Sequence, residues 1–397
     1  MSRRDRARNR RDAPASEAAD KTYALEAPDE GEVPDGLIQG RVRGRGAGLN
    51  PASRFDDVRL HVLGTHLEEV ASEYPDGRQV VTRIVPDHTR EILNRVDSPD
   101  VPLSWTVNPY RGCEHGCIYC YARPGHEYFG LSSGLDFETV IFAKHDAPQL
   151  LRCALAKPTW QGEPIAFSGV TDCYQPIERT LCITRRCLEV CLEAYQPVTL
   201  VTKNHMVTRD IDVLAQFAAW QGVHVAVSLT TLDHRLASTM EPRASSPRQR
   251  LAAIERLASA GVPVAVMTAP IIPGLNDREI PSLLKAAHEA GARTAGWVML
   301  RLPYQLKALF LDWLEREFPD RARHIESLIR QVRSGELSDP RHGKRMRGEG
   351  PIAEHIAHTF RVFSRRLGYA QGWTALNSAL FRRPSEGGPG LFESAAG

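Results

Sequence analysis

Between residues 101 and 313, short apolar runs alternate with amphipathic stretches, and few folds accommodate that rhythm. The runs fall at 104–108, 164–168, 197–202, 223–228, 262–267 and 295–300. Helical spacing of apolar residues is expected between them, at about 184–195, 210–220, 247–259 and 277–289. Gly222, Gly261 and Gly291 each stand just before a strand, where a helix commonly ends on a left-handed residue. Strands alternating with helices of this length build βαβ units around a parallel sheet. The expectation is an α/β fold with six parallel strands.

In such folds ligands sit at the carboxyl ends of the strands. Just beyond the first run stands Cys113-Glu114-His115-Gly116-Cys117-Ile118-Tyr119-Cys120, three thiols at C-x3-C-x2-C spacing. The flanks, 108–112 and 121–125, are rich in turn residues, as a loop bent around an inorganic centre requires. Cysteine thiolates are the usual ligands of an iron–sulfur cubane, which normally takes four. Three at this spacing leave one iron for another ligand. The same cysteines with His115 or His126 also fit a Cys3His zinc site.

C-x3-C-x-Tyr-Cys resembles the signature of the radical S-adenosylmethionine (SAM) enzymes, and the resemblance runs from about Val101 to Leu300. It implies a partial (β/α)6 barrel and a [4Fe–4S] cluster on Cys113, Cys117 and Cys120. It also implies that SAM chelates the free iron and is cleaved to methionine and a hydrogen-abstracting 5′-deoxyadenosyl radical. A flavodoxin- or ferredoxin-like electron donor follows from the same likeness. Tyr119 and Tyr121, on either side of the third cysteine, are similar to the spore photoproduct lyase branch, whose relatives include proteins described as DNA-repair photolyase-like.

Several site residues follow from that likeness. Gly169, Thr171 and Asp172, in the polar run after the second strand, are expected to receive the SAM amino group. A turn with a helix N-cap explains Thr171 or Asp172 but not the whole run. Lys203, at the end of the third strand, inherits a role facing the methionine carboxylate, and Ser228 contacts the ribose. Ile271 and Ile272 pack on adenine or serve as core, and Asn276 or Asp277 caps the following helix. Glu241 and Arg243 are expected to form a structural ion pair. Cys173 is placed at the mouth of the site as a hydrogen-atom donor or acid, with Tyr119 and Tyr121 as a tyrosine relay or as packing around the cluster. Where spore photoproduct lyase keeps its donor cysteine this chain has Val170, so the likeness does not carry over repair of the thymine photoproduct.

The remaining chain reads as a basic disordered tail at 1–55, a small cap at 56–100, a basic helical extension at 314–383 and a disordered tail at 384–397. The extension is expected to hold one helix at 315–333 and another at 351–367. Its Arg and Lys residues suit a nucleic-acid substrate and suit a solvated helical face equally. Of the eight cysteines, Cys153, Cys182, Cys187 and Cys191 read as buried core residues, an auxiliary cluster being the alternative. No apolar run approaches the ~20 residues that span a membrane, and no signal-peptide core opens the chain. The expected compartment is the cytoplasm, where an oxygen-sensitive cluster survives. A net charge of +2 on 397 residues does not by itself call for a polyanionic partner.

Overall fold

The computed structural model describes residues 36–38, 42–55, 80–101 and 103–385. The tails expected at either end therefore fall largely outside the described residues, as does 56–79 of the expected cap.

Six parallel strands form the main sheet: β1 (Trp105–Val107), β2 (Ile165–Phe167), β3 (Val198–Thr202), β4 (Val223–Ser228), β5 (Val264–Ile271) and β6 (Thr294–Met299). They lie side by side in sequence order. Five helices cover them: α1 (Ala147–Ala156), α2 (Ile183–Glu193), α3 (Ile211–Ala218), α4 (Pro247–Ser259) and α5 (Ile280–Glu289). This is the partial (β/α)6 barrel that the rhythm and the resemblance call for. Every residue of β4 is buried, as expected for a central strand with helices on one face and the barrel interior on the other.

Each edge of the parallel set carries some further pairing, which reduces the unpaired strand groups open to another chain. Leu93–Arg95 pairs antiparallel with β1. On β6, Thr294 makes a bridge to Ala370, whose N–H donates to the Arg293 carbonyl at 2.9 Å.

The main hydrophobic core lies between the sheet and the helices, with Phe167, Val225, Val227, Leu188, Phe217, Ile254 and Leu284 fully buried. Helix α4 begins with a capping box in which Ser246 and Gln249 satisfy each other's backbone N–H groups, and Pro247 fixes the first turn. A three-stranded sheet stands beside the barrel, ordered Arg83–Pro86, Val140–Ala143, Tyr110–Arg111. It receives the chain as it leaves β1 and sets the direction of the cysteine loop.

Three expectations are corrected. The stretch read as one helix at 315–333 is two, α6 (Leu306–Glu317) and α7 (Ala322–Gln331). Pro319 lies in the break, where its ring and missing N–H prevent a continuous helix. The last helix, α8 (Gly350–Arg366), falls where expected. The left-handed residue after α3 is Gln221 (φ 62°) instead of Gly222.

The largest departure is at the amino end, where residues 42–55 are not a tail. Arg45 is 8% exposed, Ala47 1% and Leu49 6%. Leu49–Pro51 pairs antiparallel with Gly36–Ile38, and Ala47 and Leu49 belong to a second core cluster with Cys117, Tyr119 and Trp313. Leu49→Ala is therefore expected to cost about 2–5 kcal/mol in urea unfolding, and Arg43→Ala, on an exposed residue, within about 0.5. A silent Leu49→Ala would return the segment to the status of a tail.

Candidate active site

The cysteine loop is fastened at almost every residue. The Cys113 N–H donates to the Phe137 carbonyl (2.9 Å), Ile118 to Met240 (3.0 Å), and Arg243 back to the His115 carbonyl (3.2 Å). Gln175, in the run after β2, bridges two backbone positions. Its Oε1 accepts from Glu114 N at 2.9 Å and its Nε2 donates to the Gly112 carbonyl at 3.1 Å.

Beneath the loop lies a fully buried ion pair, Arg123–Glu138, at 2.5 Å. Arg123 also donates to the carbonyls of Cys117 (3.0 Å), Ser133 (3.2 Å) and Gly134 (2.8 Å). Glu138 accepts from the N–H groups of Gly46 (3.0 Å) and Ala47 (2.9 Å), and Arg45 donates to the Glu138 carbonyl at 2.6 Å. Two glycines make this fit. A Cβ on Gly46 would stand 2.1 Å from the Gly116 carbonyl oxygen, and one on Gly116 would meet Glu138 Oε2 at 2.6 Å.

A second buried tie holds the loop from the barrel side. Glu241 accepts hydrogen bonds from Tyr119 Oη, from Thr230 Oγ1 (2.7 Å) and from the Arg250 guanidinium. Arg250 extends to the Ser245 (2.7 Å) and Ser228 (3.2 Å) carbonyls. The expected Glu241–Arg243 pair does not form. Glu241 pairs with Arg250, and Arg243 reaches Glu114 at 3.2 Å. Arg123, Glu138, Gln175 and Arg250 were not singled out from the sequence. Arg250 alone left a trace there: it falls with Ala253, Ile254 and Leu257 on the buried stripe of α4, where an unpaired arginine would be costly.

Cys113 and Cys117 are buried and Cys120 half-buried, all three free. Burial pushes each thiol above its ordinary range; the charge of Lys203 opposes this at Cys117 and Cys120. Lys203 Nζ stands 5.8 Å from the centre of the Tyr119 ring, so this lysine does face the cysteine loop. Among the described residues no three His, Cys, Asp or Glu side chains converge as one metal ion requires. A cubane spreads its thiolates over separate irons, and three thiols apart on one loop suit it better than a single zinc. Neither histidine stands as a fourth ligand. His115 places Nδ1 3.3 Å from Asp172 and Nε2 3.3 Å from Asn204. His126 is boxed by the rings of Phe129, Phe137 and Phe142.

The polar run after β2 is placed differently from the expectation. Asp172 accepts from Thr202 Oγ1 (2.8 Å), Lys203 N (2.7 Å) and Tyr174 N (2.9 Å). Burial pushes its carboxyl up, but His115 and these backbone N–H groups outweigh that and hold it below the usual carboxylate range. Its acceptors are engaged, and it ties the ends of β2 and β3 together. Thr171 is buried and donates to the Tyr110 carbonyl at 3.0 Å. Gly169 passes close over β1, where a Cβ would lie 2.6 Å from Thr106, and its carbonyl accepts from Tyr121 Oη at 2.7 Å.

Cys173 is not at a mouth: it is wholly buried in the main core, its carbonyl held by Thr184 Oγ1 at 2.6 Å. Ser228 is buried at the end of β4. Ile271 and Ile272 are likewise buried in the two core clusters. Asn276 stands at the N-cap of the short turn Asp277–Glu279, but its side chain makes no cap bond. It accepts from Ile272 N (2.7 Å) and donates to the Thr230 (2.9 Å) and Pro270 (3.0 Å) carbonyls, closing the loop after β5. Asp277 accepts from Gly274 N at 3.0 Å within the same turn. Cys187 and Cys191 are core residues, but Cys153, expected there too, is exposed, and Cys182 is half-buried beside Arg209 at 3.5 Å.

Comparison with known proteins agrees with this geometry. The family model described as the radical SAM superfamily matches residues 107–287. An uncharacterised protein of Mycobacterium tuberculosis is 34% identical over 245 residues, 61% of this chain and 72% of that protein. An uncharacterised protein of Methanocaldococcus jannaschii is 27% identical over 175 residues, 44% of this chain and 63% of that protein. Among solved structures, a spore photoproduct lyase mutant covers 79% of this chain and 95% of its own, at TM-score 0.49 and 16% identity. A radical SAM methyltransferase from Kitasatospora setae covers 68% and 49%, at TM-score 0.39 and 14% identity. These two likenesses carry no weight for substrate. The chain belongs to the radical SAM superfamily.

Two outcomes follow. Glu138→Leu leaves the Arg123 charge buried and unpaired, at a cost of about 3–5 kcal/mol in urea unfolding, whereas adding Arg123→Met recovers part of it. A double variant no more stable than the single one would mean that the backbone bonds, not the charge pair, matter. Burial also pushes the His126 imidazole down to about 4. The unfolded chain then takes up that proton first, so the stability His126 contributes is whole above pH ~6.5 and is lost as pH falls towards 4. The loss is about 3 kcal/mol. Relative to wild type, His126→Phe gains over that interval; a difference independent of pH contradicts the assignment.

Proposed function

We propose that this radical SAM superfamily member holds a [4Fe–4S] cluster on Cys113, Cys117 and Cys120 and binds SAM beside it. It would then abstract a hydrogen atom from a nucleic-acid substrate. The observation that carries the reading is a rigidly fastened loop at the carboxyl end of β1 offering two buried thiols and a half-buried one, with His115 held by Asp172 and Asn204 and His126 enclosed by aromatic rings. When bound, the cluster supplies the electron, drawn from a reducing flavodoxin- or ferredoxin-like donor, that splits SAM into methionine and a 5′-deoxyadenosyl radical.

The chain's own residues then position and shield. Lys203 presents a positive charge towards Cys117 and Cys120 and is suited to the SAM carboxylate. Tyr119 is fixed by Glu241, which makes it a positioning residue. Asp172 fixes His115 and the ends of β2 and β3, so backbone groups of the 168–172 run are left to take the SAM amino group. Apolar Ile118, Ile272 and Leu302 keep water from the loop.

The nucleic-acid half of the reading rests on charge. Arg301, just past β6, is half-buried and has no carboxylate within ion-pair distance among the described residues. Burial and the neighbouring Arg345 depress its pKa more than Tyr121 and Asp100 raise it, so a bound anion would favour its charged form.

Protein reconstituted without oxygen and reduced with dithionite in the presence of SAM is expected to release 5′-deoxyadenosine and methionine. Cys117→Ala is expected to release neither and to lose the visible absorption of the cluster. A folded wild-type protein that binds zinc in place of iron, or that carries a cluster and never cleaves SAM, would replace this reading with a non-catalytic metal module.

A further inference from the structure

Exposed rings backed by half-buried arginines begin beside the cysteine loop. Tyr121, directly after Cys120, is 50% exposed, and the Arg301 guanidinium lies 5.8 Å from its ring centre. Three residues on, Tyr304 is 53% exposed. The Arg54 guanidinium stands 4.2 Å from the Tyr304 ring, 5.1 Å from Phe55 and 5.5 Å from Tyr128. The Phe55 and Tyr128 rings are 5.3 Å apart, 56% and 71% exposed.

Rings of this size normally gain by burial, and four exposed ones in two arginine-backed groups, joined through residues 301–304, call for an explanation. Arg54 is not free to swing away, because buried Glu127 holds it at 2.7 Å. Tyr304 is kept at φ 50°, a conformation costly for a bulky residue. The two groups therefore present rings and cations at fixed positions. Alternation with guanidinium groups argues against a lipid surface or an apolar protein partner, each of which favours a continuous apolar patch.

We propose that Tyr121, Arg301, Tyr304, Arg54, Phe55 and Tyr128 form a docking strip for an unpaired nucleic-acid strand, which leads one nucleotide to the cysteine loop. The deduction rests on the nucleic-acid reading above and narrows it from any polynucleotide to a single-stranded or locally opened one. Rings meet base faces only where bases are splayed from a duplex. Arg301 takes a backbone phosphate.

The test is fluorescence anisotropy with the full-length reconstituted protein, a labelled oligothymidylate and a hairpin duplex of equal charge. Wild type is expected to bind the single strand more tightly. Tyr304→Ala and Tyr128→Ala each weaken that binding by about tenfold or more, with the salt dependence unchanged. Tyr304→Phe retains it. Arg301→Gln weakens binding and flattens the plot of log affinity against log salt by about 0.7. Both tyrosines are exposed, and matching urea unfolding curves establish that the variants fold. Preference for the duplex, ring variants that bind like wild type, or wild type that ignores both probes at low salt each overturns the strip. So does a dimer in sedimentation that Tyr304→Ala dissociates, since a second copy would then be the occupant. Protein that cleaves SAM but ignores oligothymidylate loses the strip and keeps the radical chemistry; protein that binds the strand and never cleaves SAM does the opposite.

Discussion

The structure depends on a charge pair that water never reaches. Arg123 and Glu138 lie wholly inside the protein, where separating either from its partner would leave an ion in a medium that solvates it poorly. Their remaining hydrogen-bonding capacity is spent on backbone: the Cys117, Ser133 and Gly134 carbonyls on one side, the Gly46 and Ala47 N–H groups on the other. Such a pair adds little net stability by itself, but it tolerates few geometries. It therefore decides where the middle cysteine stands with respect to the segment that covers it.

A second polar cluster acts from the barrel side. Tyr119, Thr230 and Arg250 converge on Glu241, joining the cysteine loop to β4 and α4. Between the two anchors the loop backbone is held by bonds that need no metal. A site prepared in this way loses less entropy on binding than a flexible one.

The fold was legible in the sequence because it rests on local periodicity. The six apolar runs become six strands, and Gly261 and Gly291 mark helix ends as expected. The cysteine motif was legible for the same reason, its spacing being short. What was not legible joins distant residues. Arg45 and Glu138 are 93 positions apart, and Tyr119 and Glu241 122, and nothing in composition signals those pairings. Hence residues 45–49, within a segment that reads as a tail, turn out to be buried. Asp172, apparently a free carboxylate, is engaged by the end of β3, and Cys173, one residue further on, turns into the core. Pro319 was in plain view, and the charge pattern of the surrounding stretch masked it.

The near-contact between Gly46 and the Gly116 carbonyl has a consequence for biosynthesis. The 42–51 segment leaves the ribosome before the cysteines do, yet its partner Glu138 emerges 92 residues after Gly46. It must wait uncommitted while the loop is made, because a connection of that length closes slowly. Once docked, it lies across the back of the loop. The Glu138 carboxylate that fastens both this segment and Arg123 therefore arrives only after all three cysteines have been made.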